Sequence, residues 1–411
     1  MRKIHVLTIV ALGVGQLGCD QKITAPGVCP QFCPSSGIAV QETLLTEVVL
    51  SDTSYSGYLD GFEGITVHVA GGGTGVSYGV FRFEKFGNKM PFDNNINVPI
   101  DSGGGRMDSL RLEVKLSDWD ANVPGAELVL HRLPVSVGQN STFAELLPFF
   151  SDSTVIGSVA LPDTVLPDSV ITDTLSIVFL PSDVPNFVAD SFEIAVGLSV
   201  RAPSQAHTRL FAWESDRGPV MRRFATIVNY DSAGAFVERN DNRVAKFDTH
   251  IFPDFAGPGQ PQTLEIGGDP VSRAFLKMTL PDVILDSSQV ISATLLLVPT
   301  EPLAGIPTDT INFVAGALGA DFGAKSPLLF SPNDLALSAT PLAVGSSDTL
   351  ALNVTNVIAL WQSNSNRVRS MAIVMQREGG SVGVLRVGSV THPTLKPTLR
   401  LIYVPPFEFL R

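Results

Sequence analysis

The residues best suited to chemistry stand at the end of the run Leu116-Ser-Asp-Trp-Asp120. An exposed indole can stack on a sugar ring, and the carboxylates of Asp118 and Asp120 can accept hydrogen bonds from hydroxyls or hold Ca²⁺. Leu110, Leu112, Val114 and Leu116 alternate with Arg111, Glu113 and Lys115, so a strand must carry this group, and its outward parity places Trp119 at the strand end. The plainer alternative is a Trp folded back over a sheet edge with two solvated acids beside it. Tyr55 and Tyr58, near Asp52 and Asp60, form a second cluster of the same kind.

Other chemistry finds less support. His5, His68, His131, His207, His250 and His392 are scattered, with no pair at metal-ligand spacing, so zinc is not expected. No Gly-x-Ser-x-Gly elbow is present, and Gly71 to Gly75 joins two strand patterns, which suits a turn better than a phosphate cradle. A pair of carboxylates for glycoside hydrolysis could come from distant strands and stays open. The expectation is a protein without catalysis and without a cofactor, Ca²⁺ being the one ion considered. Trp361 lies with Val357 and Ile358 on the apolar side of a short helical segment and is expected in a core. Arg217 to Arg223 carries three arginines in a turn-like run, a solvated turn or a contact for an acidic glycan.

Net charge is −12, and loss of Arg2 and Lys3 with a leader would make it −14, so nucleic acid is not an expected partner. Arg2 and Lys3 followed by the apolar run Ile4–Val14 read as an export signal over residues 1–18. Leu17-Gly18-Cys19 resembles a bacterial lipobox, with Gln16 where such motifs carry an aliphatic residue. That resemblance implies a lipid on Cys19 and anchoring in the bacterial cell envelope, periplasmic or surface-exposed, with secretion as the alternative. The membrane is then met through the anchor only. Cys29 and Cys33 are the other two cysteines, and they could close a small loop within a Pro-rich linker spanning 19–42.

The whole chain has 44% hydrophobic and 17% charged residues, with 36 Gly and 29 Pro, a composition for many short strands and turns. Its elements recur. Ile65–Val69 before glycines corresponds to Thr263–Ile266 before Gly267-Gly268. Val80–Phe83 corresponds to Ala274–Met278, Ser109–Leu116 to Ser292–Val298, and Asp173-Thr-Leu to Asp348-Thr-Leu. The closing Tyr stands 57 residues after that Asp in one copy (Tyr230) and 55 in the other (Tyr403). The pattern predicts an all-β protein of two tandem antiparallel jelly-roll-type β-sandwiches, over 43–232 and 243–404. The extra loop residues of the first copy point to it as the carrier of the ligand site.

Asp248-Thr-His-Ile, Ser292-Ala-Thr-Leu-Leu-Leu, Asn353-Val-Thr-Asn-Val-Ile-Ala-Leu-Trp361 and Lys396-Pro-Thr-Leu-Arg-Leu are the residues of a further resemblance. With them the second copy resembles the DNRLRE-type domain, a jelly-roll relative of carbohydrate-binding modules; Asp241-Asn-Arg-Val244 only echoes the namesake motif. The resemblance implies extracellular work with glycan binding in some members. The resulting expectation is a non-catalytic envelope lipoprotein that binds a polysaccharide or another extracellular polymer. A structural or adhesive spacer is the first alternative, and a polysaccharide hydrolase or lyase the second.

Overall fold

The computed structural model describes residues 40–406, apart from 59–63, 94–95, 101–104, 139–140, 163–173, 185–192, 229–235, 254–259, 269–270, 330–338, 364–367, 377 and 379. The leader, Cys19, Cys29, Cys33 and Asp60 lie outside the described residues.

The protein is all-β, built from antiparallel sheets. In chain order the strands are β1 Gln41–Leu45, β2 Val49–Ser56, β3 Thr66–Gly71, β4 Tyr78–Phe83, β5 Lys89–Asp93, β6 Ile96–Pro99, β7 Gly105–Trp119, β8 Glu127–Arg132, β9 Val155–Ala160, β10 Thr174–Val178, β11 Ile194–Arg201 and β12 Ala206–Phe211. They continue as β13 Val220–Val228, β14 Phe236–Ile251, β15 Thr263–Gly267, β16 Ser272–Met278, β17 Gln289–Leu297, β18 Ala304–Gly305, β19 Thr310–Ala317, β20 Thr340–Ala343, β21 Leu350–Asn353, β22 Ser370–Met375, β23 Gly383–Gly388 and β24 Thr398–Val404. Two short helices, α1 Phe143–Leu146 and α2 Thr355–Ser363, join strands.

Alternation decides which side chains meet. On β7 Leu110, Leu112, Val114 and Leu116 are buried while their neighbours are not, as the sequence pattern predicts. Burying each such side chain stabilises by about 1.5–3 kcal/mol. They join Val67, Phe81, Phe83, Leu198 and Leu210 in one core drawn from residues 67–245. A second core draws on 264–401, with Trp361 of α2 inside it, and on Val48 and Val49 from the start of the chain.

Those two valines mark a departure from the expected domain limits. β1 pairs with β24 and β2 with β16, so residues 41–56 complete the sheets of the second core, not the first. Conversely, β14 runs through the expected boundary and pairs with β13 and β4, completing the first core as far as Ile251. Apart from this exchange, parts of the two pairing orders agree. β10–β7–β13–β14 in the first half corresponds to β21–β17–β24–β1 in the second. Each opening strand therefore lies in the other half's sheets. The two opening strands share the dipeptide Asp-Thr, at Asp52-Thr53 and Asp248-Thr249.

The glycine turns also correspond. Gly72 and Gly267 have φ of +76° and +89°, and a Cβ on Gly72 would stand 2.1 Å from Ser204 O. Glycine adopts such backbone without the cost a side chain brings.

Candidate functional site

β3 is buried on both faces, which its Val-His-Val pattern alone does not predict. Val67 and Val69 enter the first core, whereas Ala70 packs against Ile306 and Val382 of the second half. His68, between the two valines, lies opposite Arg209 of β12 in the register.

Arg209 is the hub of a buried polar cluster. Its Nη1 donates to Asp118 Oδ2 at 2.8 Å, and its Nη2 donates to Asp309 Oδ1 and Oδ2 at 2.7 and 2.6 Å. Asp309 precedes β19, so this ion pair joins the two halves. Its loop is anchored in the second half, where Val344 N donates to Asp309 O at 2.9 Å. His68 Nε2 lies 3.5 Å from Asp309 Oδ2, an ion-pair distance, although neither His68 ring nitrogen has a hydrogen-bond partner. The His68 ring stacks on His207 with centroids 5.4 Å apart. His207 Nδ1 is 2.8 Å from Asp120 Oδ2, outside hydrogen-bonding geometry, and its backbone N–H donates to the same oxygen at 2.9 Å. His250 of β14 completes the group, fully enclosed.

Burial sets the protonation. It pulls His68 down to about 4, with the neighbouring Asp309 offsetting part of the effect, and pulls His250 down to about 3, helped by the charges of His68 and Arg209. For Asp309 burial acts upward, but His68 and Arg209 together outweigh it and hold the carboxyl below its usual range. Asp248 is pushed up to about 7 by burial, which the hydrogen bond from Trp213 N offsets only in part.

An equivalent cluster occupies the second half. Arg386 of β23 lies opposite Glu265 of β15, just as Arg209 lies opposite His68. Its Nε and Nη2 each donate to Glu265 Oε2 at 3.1 Å, and its Nη1 donates to Glu301 Oε1 at 3.0 Å. Asp52 accepts from Val390 N at 2.6 Å, as Asp248 accepts from Trp213 N at 2.7 Å. Ser54 stands where β14 carries His250, and its hydroxyl accepts from Glu265 N at 2.7 Å. Histidine thus replaces a carboxylate at position 68, and Asp309 from the other half supplies the missing charge.

The residues singled out in the sequence are distributed around these clusters. Trp119 is half-buried against the first core, and its indole Nε1 donates to Pro162 O at 2.9 Å. This is the folded-back arrangement. Asp118 and Asp120 face Arg209 and His207. Among the described residues, no group of three or more His, Cys, Asp or Glu is arranged to hold a metal ion. In the arginine run, Arg222 pairs with Glu113, and Arg223 is buried, donating to Gly87 O and Lys89 O. Arg217 stacks over Phe211.

Tyr55 and Tyr58 do come together. Both pack on Phe275 of β16, Tyr55 edge-on at 5.4 Å and Tyr58 stacked at 6.1 Å. Tyr58 OH donates to Ala324 O at 2.7 Å, and the Arg273 guanidinium sits 4.1 Å over its ring. Arg273 is held by Glu378. In the adjoining turn Phe322 is 72% exposed, an apolar ring with no core to enter. Phe322, Arg209, Asp309 and the convergence of three histidines escaped the sequence reading. Aligning Asp52-Thr with Asp248-Thr, and then Arg386 with Arg209, is the signal that could have found the clusters.

No family model and no curated protein matches the chain. Among solved structures, that of the Macrobrachium rosenbergii nodavirus is similar at 8% identity and a TM-score of 0.15, covering 98% of this chain and 96% of that one. The structure of infectious bursal virus derived T=1 particles is similar at 12% identity and a TM-score of 0.12, covering 90% and 74%. Scores this low carry no argument about fold or function. What the described residues define is an all-β sandwich protein with two related arginine clusters.

Proposed function

We propose that the chain is a non-catalytic protein of the bacterial cell envelope, tethered by lipid on Cys19, that binds a polysaccharide or another extracellular polymer. The observation that supports this is the exposed ring of Phe322, in the turn whose Ala324 carbonyl accepts from Tyr58 OH. An exposed aromatic ring suits stacking on a sugar, and the packed pair Tyr55 and Tyr58 gives its turn a firm support. This moves the favoured binding surface from Trp119, whose indole N–H is already engaged, to the second half. A rigid spacer is the second reading, favoured by the exchanged strands and the buried Arg209–Asp309 pair.

A glycan array probed with the mature ectodomain, with and without Ca²⁺, tests the proposal. For a glycan that binds, Phe322→Ala is expected to weaken affinity about tenfold, the scale of one lost stacking surface of 1–3 kcal/mol by analogy with nucleobases. Trp119→Phe is expected to leave affinity unchanged. Silence on every glycan favours the spacer, and release of sugars from any polysaccharide favours a hydrolase or lyase. Affinity lost with Trp119→Phe but kept with Phe322→Ala returns the site to the first half.

A further inference from the structure

We propose that the Arg209–Asp309 contact is an acid-released latch between the two halves, in which His68 and His250 sense the proton. The second half is the internal reference, because there Arg386 is satisfied by Glu265 on the adjacent strand of its own sheet. Arg209 has a histidine in that place and reaches across to Asp309.

Among the described residues, the charges around His68 and His250 come from several elements. β12 supplies Arg209 and His207, the end of β7 supplies Asp118 and Asp120, β14 supplies Asp248, and the loop before β19 supplies Asp309. At neutral pH Arg209 and Asp309 balance each other in a space that is almost closed, the two side chains being 8% and 4% exposed. A proton on His68 or His250 adds a second cation beside Arg209 where Asp309 is already shared. Asp248 offers no counter-charge in this range, because burial keeps it protonated up to about pH 7. Asp118 and Asp120 lie toward solvent, beyond Arg209 and His207 respectively.

Both histidines have lower proton affinity in the closed contact than in water, where a histidine titrates near 6.5. The closed state is thus favoured fully above pH 6.5, and the preference is lost as pH falls toward about 4. Each histidine that must gain a proton on opening shifts the closed-to-open ratio by about tenfold per pH unit in that window. The loop carrying Asp309 is also strained. Thr308 has φ of +76°, a left-handed conformation disfavoured for a β-branched residue. The exchanged strands keep the halves joined, so release changes their orientation without separating them.

Small-angle X-ray scattering of the mature chain between pH 7.5 and 4.0 tests the latch. The radius of gyration is expected to rise reversibly, with a midpoint between pH 4 and 6.5. Asp309→Asn is expected to give the open dimensions already at pH 7.5. His68→Gln with His250→Ser, the latter being the residue of the second half, is expected to abolish the acid step. Constant dimensions down to pH 4, or an acid step unchanged in the double variant, overturns the proposal. Should the double variant misfold, the wild-type histidine titrations decide by NMR. His68 and His250 both titrating far below 6.5 support the latch, and either one titrating near 6.5 overturns it. The readout is shape, because His131 is also pulled down to about 4 by burial inside the first half and would affect overall stability alike.

Discussion

Arg209 and Arg386 occupy the same place in two similar sets of strands and are neutralised in different ways. Arg386 is held within its own half by Glu265 and Glu301, whose side chains are 33% and 37% exposed. Arg209 depends on a carboxylate from the other half that is only 4% exposed. Arg386 meets two carboxylates that are partly wet, whereas Arg209 divides its charge between the half-exposed Asp118 of its own half and the dry Asp309 of the other. The exchange of one residue type, histidine for glutamate on an edge strand, turns a local structural ion pair into a connection between halves. Buried pairs are costly to half-remove and contribute little over an apolar replacement, so the dry pair is better understood as fixing orientation than as adding stability.

The exchanged opening strands give the sharpest way to break this comparison. A chain comprising residues 236–411 retains β14 but lacks β1 and β2, and with them Val48, Val49 and the partners of β24 and β16. It is expected to be largely unfolded by circular dichroism and proton NMR, and to fold when a peptide of residues 41–56 is added. Independent folding without the peptide would mean that β14 can return to its own half.

Removal of each arginine measures the two environments directly. Arg209→Ala leaves Asp309 buried without a cation and is expected to cost about 3–5 kcal/mol in urea unfolding. Arg386→Ala leaves two carboxylates that are a third exposed, so water and salt take up part of the charge, and about 1–2 kcal/mol is expected. Equal costs would show that the difference in exposure has no energetic weight.

Thr308→Asn is expected to have the smallest effect. The side chain is exposed, and asparagine tolerates a positive φ better than threonine. A gain of about 0.5–1 kcal/mol in stability is expected, together with a lower midpoint for the acid step. A loss of stability would show that the threonine makes a contribution beyond its backbone.

The sequence by itself determined the class of fold, because alternation on β7 and β17 and frequent glycine turns leave antiparallel sheets as the natural solution. It also showed short elements recurring in one order, and it determined the core role of Trp361. It identified Tyr55 and Tyr58 as a pair and offered the folded-back Trp119 as one of two arrangements. Tertiary structure alone decided which sheet each opening strand would complete. Both strands carry the dipeptide Asp-Thr, and a dipeptide shared by both cannot say which core will take it. It also brought together His68, His207, His250, Arg209 and Asp309, which are separated by up to 241 positions in the chain. No spacing rule reaches across such distances, because the pairing depends on β3 being covered by the other half. Burial on that second face is what gives these histidines and their aspartate unusual proton affinities, and burial is a property of the assembled sheets.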